Sequence, residues 1–330
     1  MDKAGVVSVG IDVSARELVV AIAGHQGEYR FGNDPAGHQA LMAWLLRQGK
    51  QLRVCLEASG NYSLDLSLAL HGEKRVQLGV VNPRLARRFA ESLGYRSKTD
   101  PVDAHALAEY AARMPFTVWV APSAAGLQLR SLVRTIAALT RMATQQKNRE
   151  HAVRASQILT TVLAPELARH TRYLEQRMAK LRQKARRLVA KDPELERKWQ
   201  QLLSTPGIGE VSALQILGEL AVLPATLDAR QWVAQCGLDP KQHESGTSVQ
   251  GKPRISKAGN RYLRAALYMP ALVAVHHDPG AAGFYGRLLQ SGKAKLVALT
   301  AVMRKLLHGI YGMFQHGENY DGAKLFPSCS

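Results

Sequence analysis

Three β-rich runs open this chain within its first 33 residues, and they restrict the fold more than anything that follows. Residues 5–12 (GVVSVGID) and 17–23 (ELVVAIA) are separated only by a short polar turn. A connection that short closes an antiparallel hairpin, and EYRFGN supplies a third strand. The texture then alternates. A helix is expected over 35–47, a strand at RVCLEAS, a helix at NYSLDLSLALHGE and a strand at RVQLGVVN, with helices at PRLARRFAESL and PVDAHALAEYAARM. Antiparallel strands followed by alternating strands and helices predict an α/β domain with a mixed sheet over residues 1–122. Asp12 and Glu57 fall at the C-terminal ends of predicted strands, where open α/β sheets carry their sites.

After VWVAPS the pattern changes to long helices. Leu174, Met178, Leu181, Ala185 and Leu188 follow 4-3-4-3 spacing, and Leu129, Leu132, Ile136 and Leu139 make a similar stripe. Residues 123–200 therefore predict two long antiparallel helices forming a coiled coil, broken near Ala164-Pro165. From residue 201 to 330 a mainly helical domain is expected. It opens with LLSTPGIGEVSALQILGEL, a helix-hairpin-helix pattern in which Gly207 and Gly209 let backbone N–H groups approach a phosphate. A Pro-Gly turn between helices also arises for purely structural reasons.

Charge narrows the choice of partner. The formal net charge is +18 and the pI about 10.1, which points to a polyanion. Residues 1–122 carry only +2, residues 123–200 carry +11 and residues 201–330 carry +5. Lys184, Arg186 and Arg187 crowd the outer face of the second long helix, which reads either as a solvated surface or as a nucleic-acid contact. Lys252, Arg254, Lys257, Arg261 and Arg264 run through residues 237–272 at a density suited to a phosphate backbone. Three widely spaced cysteines give neither a disulfide framework nor a zinc pattern and fit a reducing cytosol. With no signal region and no apolar stretch of spanning length, a soluble intracellular protein is expected. His276-His277-Asp278 precedes Pro279 and reads as a helix end.

Against this basic background four acidic residues stand out: Asp12, Glu57, Asp100 and Asp103. Phosphodiester chemistry with two Mg²⁺ ions needs carboxylates converging from several elements. Two strand ends and an i,i+3 pair on one helix face can supply such a set. Singly, each residue has another explanation. Asp12 can open a turn, Glu57 can end a strand, and Asp100-Pro101-Val102-Asp103 can start a helix with Asp100 as its N-cap. Ser245 lies in a Gly- and Ser-rich polar loop that becomes a helix at about Asn260, where a hydroxyl can approach phosphorus. Ser248 and Ser256 are competitors on the same grounds, and Ser256 also suits a turn cap.

The motifs GIDVS, EASGNY, KTDPVDAHALA, STPGIG, CGLDP, HESGTS, ISKAGNRYLRAALYMPAL and HHDP occur in that order. Together they resemble those of the DEDD-type insertion-sequence transposases, the group that includes the pilin-gene invertases and the bridge-RNA-guided recombinases. The resemblance covers nearly all 330 residues. It implies an RNase H-like domain of the RuvC type, with Asp12, Glu57, Asp100 and Asp103 holding Mg²⁺ (or Mn²⁺). It also implies a C-terminal transposase domain whose nucleophile is Ser245, with the cut strand held as a phosphoserine. Further implications are donor and target DNA as substrates, a structured noncoding bridge RNA as guide, and a homodimer assembling to a tetramer. In that assembly the acidic site and the serine come from different protomers, in the bacterial cytoplasm at the nucleoid and away from any membrane. The residues alone leave two other readings open: a metal-dependent junction nuclease in which water attacks, and a non-catalytic nucleic-acid scaffold.

Overall fold

In the computed structural model, which describes residues 5–95, 99–245 and 249–327, the first three strands form an antiparallel ribbon. They are β1 (Val6–Val13), β2 (Glu17–Ile22) and β3 (Tyr29–Gly32). There follow α1 (Pro35–Gln48), β4 (Gln51–Glu57), α2 (Leu64–His71), β5 (Val76–Val81), α3 (Pro83–Ser92) and α4 (Asp100–Arg113). The strands make one sheet in the order β3-β2-β1-β4-β5, with β1, β4 and β5 parallel. This is the mixed α/β sheet expected from the sequence.

Strand alternation sorts the side chains between the two faces. Val9, Ile11, Leu18, Val20, Val54 and Leu56 pack on Leu41 and Leu45 of α1 and Leu66 and Leu70 of α2. The opposite face receives α3 and α4: Cys55 and Val81 meet Leu107, Tyr110 and Ala111, while Val19 and Ala21 meet Ala104 and Ala108. Each fully buried aliphatic chain stabilises by roughly 1.5–3 kcal/mol, so a one-residue slip of a strand would cost several such terms at once. At Gly10 the helix rests directly on the strand: a Cβ there would lie 2.1 Å from the carbonyl oxygen of Ala104 and 2.2 Å from the amide nitrogen of Ala108. Only glycine allows this approach.

The chain separates into two compact units, Met1–Ala121 and Pro122–Ser330. The second contains α5 (Ala124–Arg154), α6 (Gln157–Lys191), α7 (Pro193–Leu203), α8 (Glu210–Leu220) and α9 (Ala229–Cys236). Then come β6 (Pro240–Ser245), β7 (Val249–Ile255), α10 (Arg261–His277), α11 (Pro279–Gln290), α12 (Lys295–His316) and α13 (Gly322–Leu325). Helices α5 and α6 pack along each other, with Ala143, Leu174 and Met178 buried between them and Leu139 against that cluster. Nearer α7, Leu129, Val133, Ala185 and Val189 of the same two helices join one large core with Trp199, Leu217, Leu267 and Leu306. Glu219 of α8 is fully buried and accepts from Nε and Nη2 of Arg134 on α5 (2.8 Å each) and from the Asn260 side chain at the start of α10 (2.7 Å).

Three sequence expectations are corrected. The break between the long helices lies at Ala155–Ser156, not at Ala164-Pro165; Ser156 is extended and Pro165 sits inside α6. Proline forfeits one helical hydrogen bond, a local cost of about 3 kcal/mol that a 35-residue helix packed on its neighbour bears without ending. The N-cap of α4 is Thr99, not Asp100, which is already helical. The polar loop before α10 contains a two-stranded antiparallel ladder, β6–β7. Its residues lack apolar alternation, so the ladder left no periodic mark. The helix end at His277 is as expected: Asp278 closes α10 and caps α11 by accepting from the Ala281 amide (2.8 Å). Among the described residues no helix is long and apolar enough to cross a membrane.

Candidate catalytic site and nucleic-acid surfaces

Asp12 is the penultimate residue of β1 and Glu57 the last of β4. The parallel register pairs Ile11 with Leu56, so Asp12 and Glu57 are each one residue beyond that pair on neighbouring strands. Alternation puts Asp12 on the face of Gly10 and Glu57 on the face of Cys55, the face that α4 covers. Asp103, in the first turn of α4, lines one cavity of about 110 Å³ together with Glu57. Asp12, Glu57 and Asp103 are half-buried, whereas Asp100 is exposed. None of the three half-buried carboxylates is without an interaction partner.

Carboxylate oxygens are the donors that Mg²⁺ favours, and this ion is ordinarily held by one or two of them with water and substrate phosphate completing the shell. The Glu57–Asp103 pair in a shared cavity fits that use. Among the described residues, no group of three or more His, Cys, Asp or Glu side chains gathers as a metal cluster. Cys55 lies beneath the same helix, where burial pushes its thiol up to about 12 and keeps it protonated at neutral pH.

Sequence reading missed Arg87, which lines the cavity with Glu57 and Asp103. Its Nε donates to Glu91 (2.9 Å), while its Nη1 is buried without a hydrogen-bond partner. The only signal for it was one arginine among several in PRLARRFAES, four residues from a glutamate.

In the second unit, Ser245 ends β6 and pairs with Val249 across the hairpin. Ser248 lies outside the described residues. Ser256 donates its hydroxyl proton to Asp239 (2.6 Å) and accepts from the Ala258 amide (3.3 Å), which is a turn-capping role. Lys252 and Arg254 lie on β7, Arg254 opposite Lys241 and exposed. Lys257 is exposed with a positive φ of 52°, and Arg261 is exposed at the start of α10. Arg264 donates to the Cys236 carbonyl (2.6 Å), tying α10 to the end of α9.

The PGIG turn separates α7 from α8. Gly207 has φ +86°, and a Cβ there would stand 2.6 Å from the Pro270 carbonyl oxygen, so packing on α10 requires this glycine. Gly209 is the exposed N-cap of α8, with open space around it. On α6, Lys184 and Arg187 are exposed. Arg186 is bound by both arms to Glu196 (2.5 and 2.8 Å) and lies over the Trp199 ring, so it fastens α6 to α7.

Two family models match the chain. Residues 9–156 match a transposase model of the DEDD IS110 type, and residues 199–286 match the Transposase IS116/IS110/IS902 family. The pilin gene-inverting protein of Moraxella bovis is 27% identical over 320 residues, 95% of this chain and 97% of that protein. Its counterpart from Moraxella lacunata matches to the same extent. The transposase for insertion sequence element IS1328 of Yersinia enterocolitica is 28% identical over 222 residues, 60% of this chain and 64% of its own length. The five-stranded mixed sheet of the first unit is consistent with an RNase H-like DEDD transposase, a family that normally uses divalent metal ions. With one model on the front of the chain, the other on the back and relatives aligned over nearly its whole length, the protein belongs to the IS110-type DEDD transposases, enzymes that cut and rejoin DNA.

Proposed function

We propose that the protein is an RNA-guided DNA recombinase that exchanges strands with an acidic metal site and a serine nucleophile. Asp12, Glu57, Asp100 and Asp103 would hold Mg²⁺ or Mn²⁺. The bound ions would stabilise charge on the phosphate under attack and on the leaving oxygen. Ser245 attacks phosphorus through its Oγ; the Oγ–P bond forms as a P–O bond of the strand breaks, and the serine proton passes to the leaving oxygen. The strand held as a phosphoserine keeps the energy of the broken bond, which attack by water would lose, so a second DNA hydroxyl can rejoin it. The observation that carries this reading is the cavity shared by Glu57 and Asp103 on the sheet face that also carries Asp12.

Three functional segments follow from it: 1–122 as the catalytic domain, 123–200 as a basic coiled coil and 201–330 as the transposase domain. In the last of these, α7 and α8 act as a helix-hairpin-helix. The +11 excess over 123–200 supports a structured guide RNA there, with donor and target DNA as the substrates. The acidic site and the serine come from different protomers of a dimer that assembles to a tetramer, at the nucleoid of the bacterial cytoplasm. Ser245→Ala tests the chemistry: strand exchange and the covalent protein–DNA adduct should both vanish. Retained cleavage without an adduct would instead make the protein a nuclease that uses water. Sequencing the RNA that copurifies with the protein tests the guide.

A further inference from the structure

Within the second unit, α5, α6, α8 and α10 enclose a cavity of about 750 Å³. Its floor is apolar, made by Val133, Ile136, Leu214, Ala266 and Met269. Its polar residues are of a different kind: Arg141, Arg182 and Arg261 line it together with Tyr262, and no acidic side chain does. Among the described residues none of these three arginines is in an ion pair, whereas neighbouring Arg134 is neutralised by Glu219.

The Tyr262 ring organises this charge. The Arg261 and Arg141 guanidinium carbons lie 5.1 and 5.8 Å from its centroid, and Arg261 Nη2 donates to its hydroxyl at 3.3 Å. Hydrogen bonds from Arg261 and Arg141 hold that phenol below its ordinary range. Two further donors are idle: the Gln215 Nε2 and Arg182 Nε atoms are buried without a hydrogen-bond partner, and both residues line the cavity. Unpaired buried donors are a costly arrangement that a ligand with acceptor atoms would relieve, and the guanidinium groups of Arg141 and Arg261, exposed and outside any ion pair among the described residues, suit an anionic group on the same ligand. The apolar side chains of the lining ask in addition for an apolar face on the ligand.

A nucleotide has all three properties. The volume lies in the range of small-molecule sites, enough for one nucleotide and far too little for a duplex. We propose that this cavity holds a single unpaired nucleotide of a bound nucleic acid. Its base lies on the floor beside Tyr262, and its phosphate lies among Arg141, Arg182 and Arg261. The Gln215 amide donates to an acceptor on the base edge. Stacking and edge contacts of this kind are how proteins hold bases taken out of a helix. The inference rests on the reading that this unit handles nucleic acid, and it adds a specific preference for an unpaired position.

The test uses the full-length protein and hairpin oligonucleotides whose stem carries one unpaired 2-aminopurine, made as DNA and as RNA, beside fully paired counterparts. Binding is read by anisotropy and base placement by 2-aminopurine emission. The bulged form of one of the two nucleic acids should bind about tenfold more tightly than its paired counterpart, with a change in emission. Ala265→Trp, at an exposed position on the lip, should remove that preference and leave paired affinity unchanged. Arg141→Ala, also exposed, should weaken the bulged form selectively and serves if the tryptophan disturbs folding. Equal binding of bulged and paired stems overturns the proposal while sparing the nucleic-acid reading; binding of neither overturns both. A preference that survives Ala265→Trp while light scattering shows an altered oligomer assigns the cavity to a second copy of the chain and overturns the proposal too.

Discussion

Gly10 of β1 and Ala104 of α4 meet backbone to backbone, so closely that a single methyl group on Gly10 would fall 2.1 Å from the Ala104 carbonyl oxygen. This contact sets the height of α4 over the sheet and with it the position of Asp103, one residue earlier. Overpacking typically costs about 1–3 kcal/mol, and obstruction by main-chain atoms leaves little room for relief. Gly10→Ala should therefore destabilise by about 3 kcal/mol, seen as a lower denaturant midpoint, and should reduce strand cleavage further by lifting Asp103. An unchanged midpoint would mean that α4 is not seated as described.

Glu57→Gln and Asp103→Asn keep shape and remove charge in the shared cavity. Each should lower strand cleavage at least about a hundredfold in protein that still folds, as circular dichroism would show. Chelation of divalent ions should abolish cleavage by the unaltered protein, and added Mg²⁺ or Mn²⁺ should restore it. Cleavage by either variant at the normal rate would remove that residue from the catalytic set.

The buried Glu219 carboxylate satisfies Arg134 and Asn260 together. Glu219→Ala leaves a guanidinium and an amide without their acceptor at the junction of α5, α8 and α10. Breaking a fully buried pair costs about 3–5 kcal/mol, but the Arg134 side chain is 39% exposed, so about 2–3 kcal/mol is expected here. Glu219→Gln, which retains one acceptor oxygen, should recover part of it. Thermal unfolding of the two variants measures the difference.

His308 on α12 gives an acid-side dependence. Burial lowers its pKa below 6.5, and Arg304, Lys305 and Arg230 lower it further against a smaller opposing effect of Asp228. The unfolded chain thus takes up this proton before the folded one does. The associated stability is complete above pH 6.5 and is lost as pH falls from there through the depressed folded value. His308→Gln should flatten that part of the stability–pH curve. An identical slope in the variant would exclude His308 as its origin.

The first unit was the more legible of the two because apolar alternation and short turns are written residue by residue. β1, β2 and β4 can be placed from VVSVGIDV, ELVVAI and QLRVCLE alone. That Asp12 and Glu57 share a face needs in addition the β1–β4 register, which alternation within each strand does not give. The cavity that Glu57 shares with Asp103 depends further on a helix docking at Gly10. The β6–β7 ladder was hidden because main-chain hydrogen bonds between polar residues leave no hydrophobic signature. The spacing of Arg186 and Arg264 suits contact with nucleic acid; what a long side chain reaches across the fold, here Glu196 and the Cys236 carbonyl, is not encoded in local spacing.

Ser245 and Ser256, which looked alike as loop serines, should separate on substitution. The Ser256 hydroxyl is held by the Asp239 carboxylate at 2.6 Å and caps the turn into α10 through the Ala258 amide. A hydrogen bond to a charged group contributes about 1.5–3 kcal/mol. Ser256→Ala should therefore lower the free energy of unfolding by an amount in that range, while the protein that remains folded still forms the covalent DNA adduct. Ser245→Ala should do the reverse, because the hairpin tip is held through the main chain pairing of Ser245 with Val249, which alanine keeps. Adduct capture on denaturing gels, run beside a denaturation series for each variant, reads both quantities. An adduct lost in Ser256→Ala at full stability would move the nucleophile to Ser256 and make Asp239 its proton acceptor.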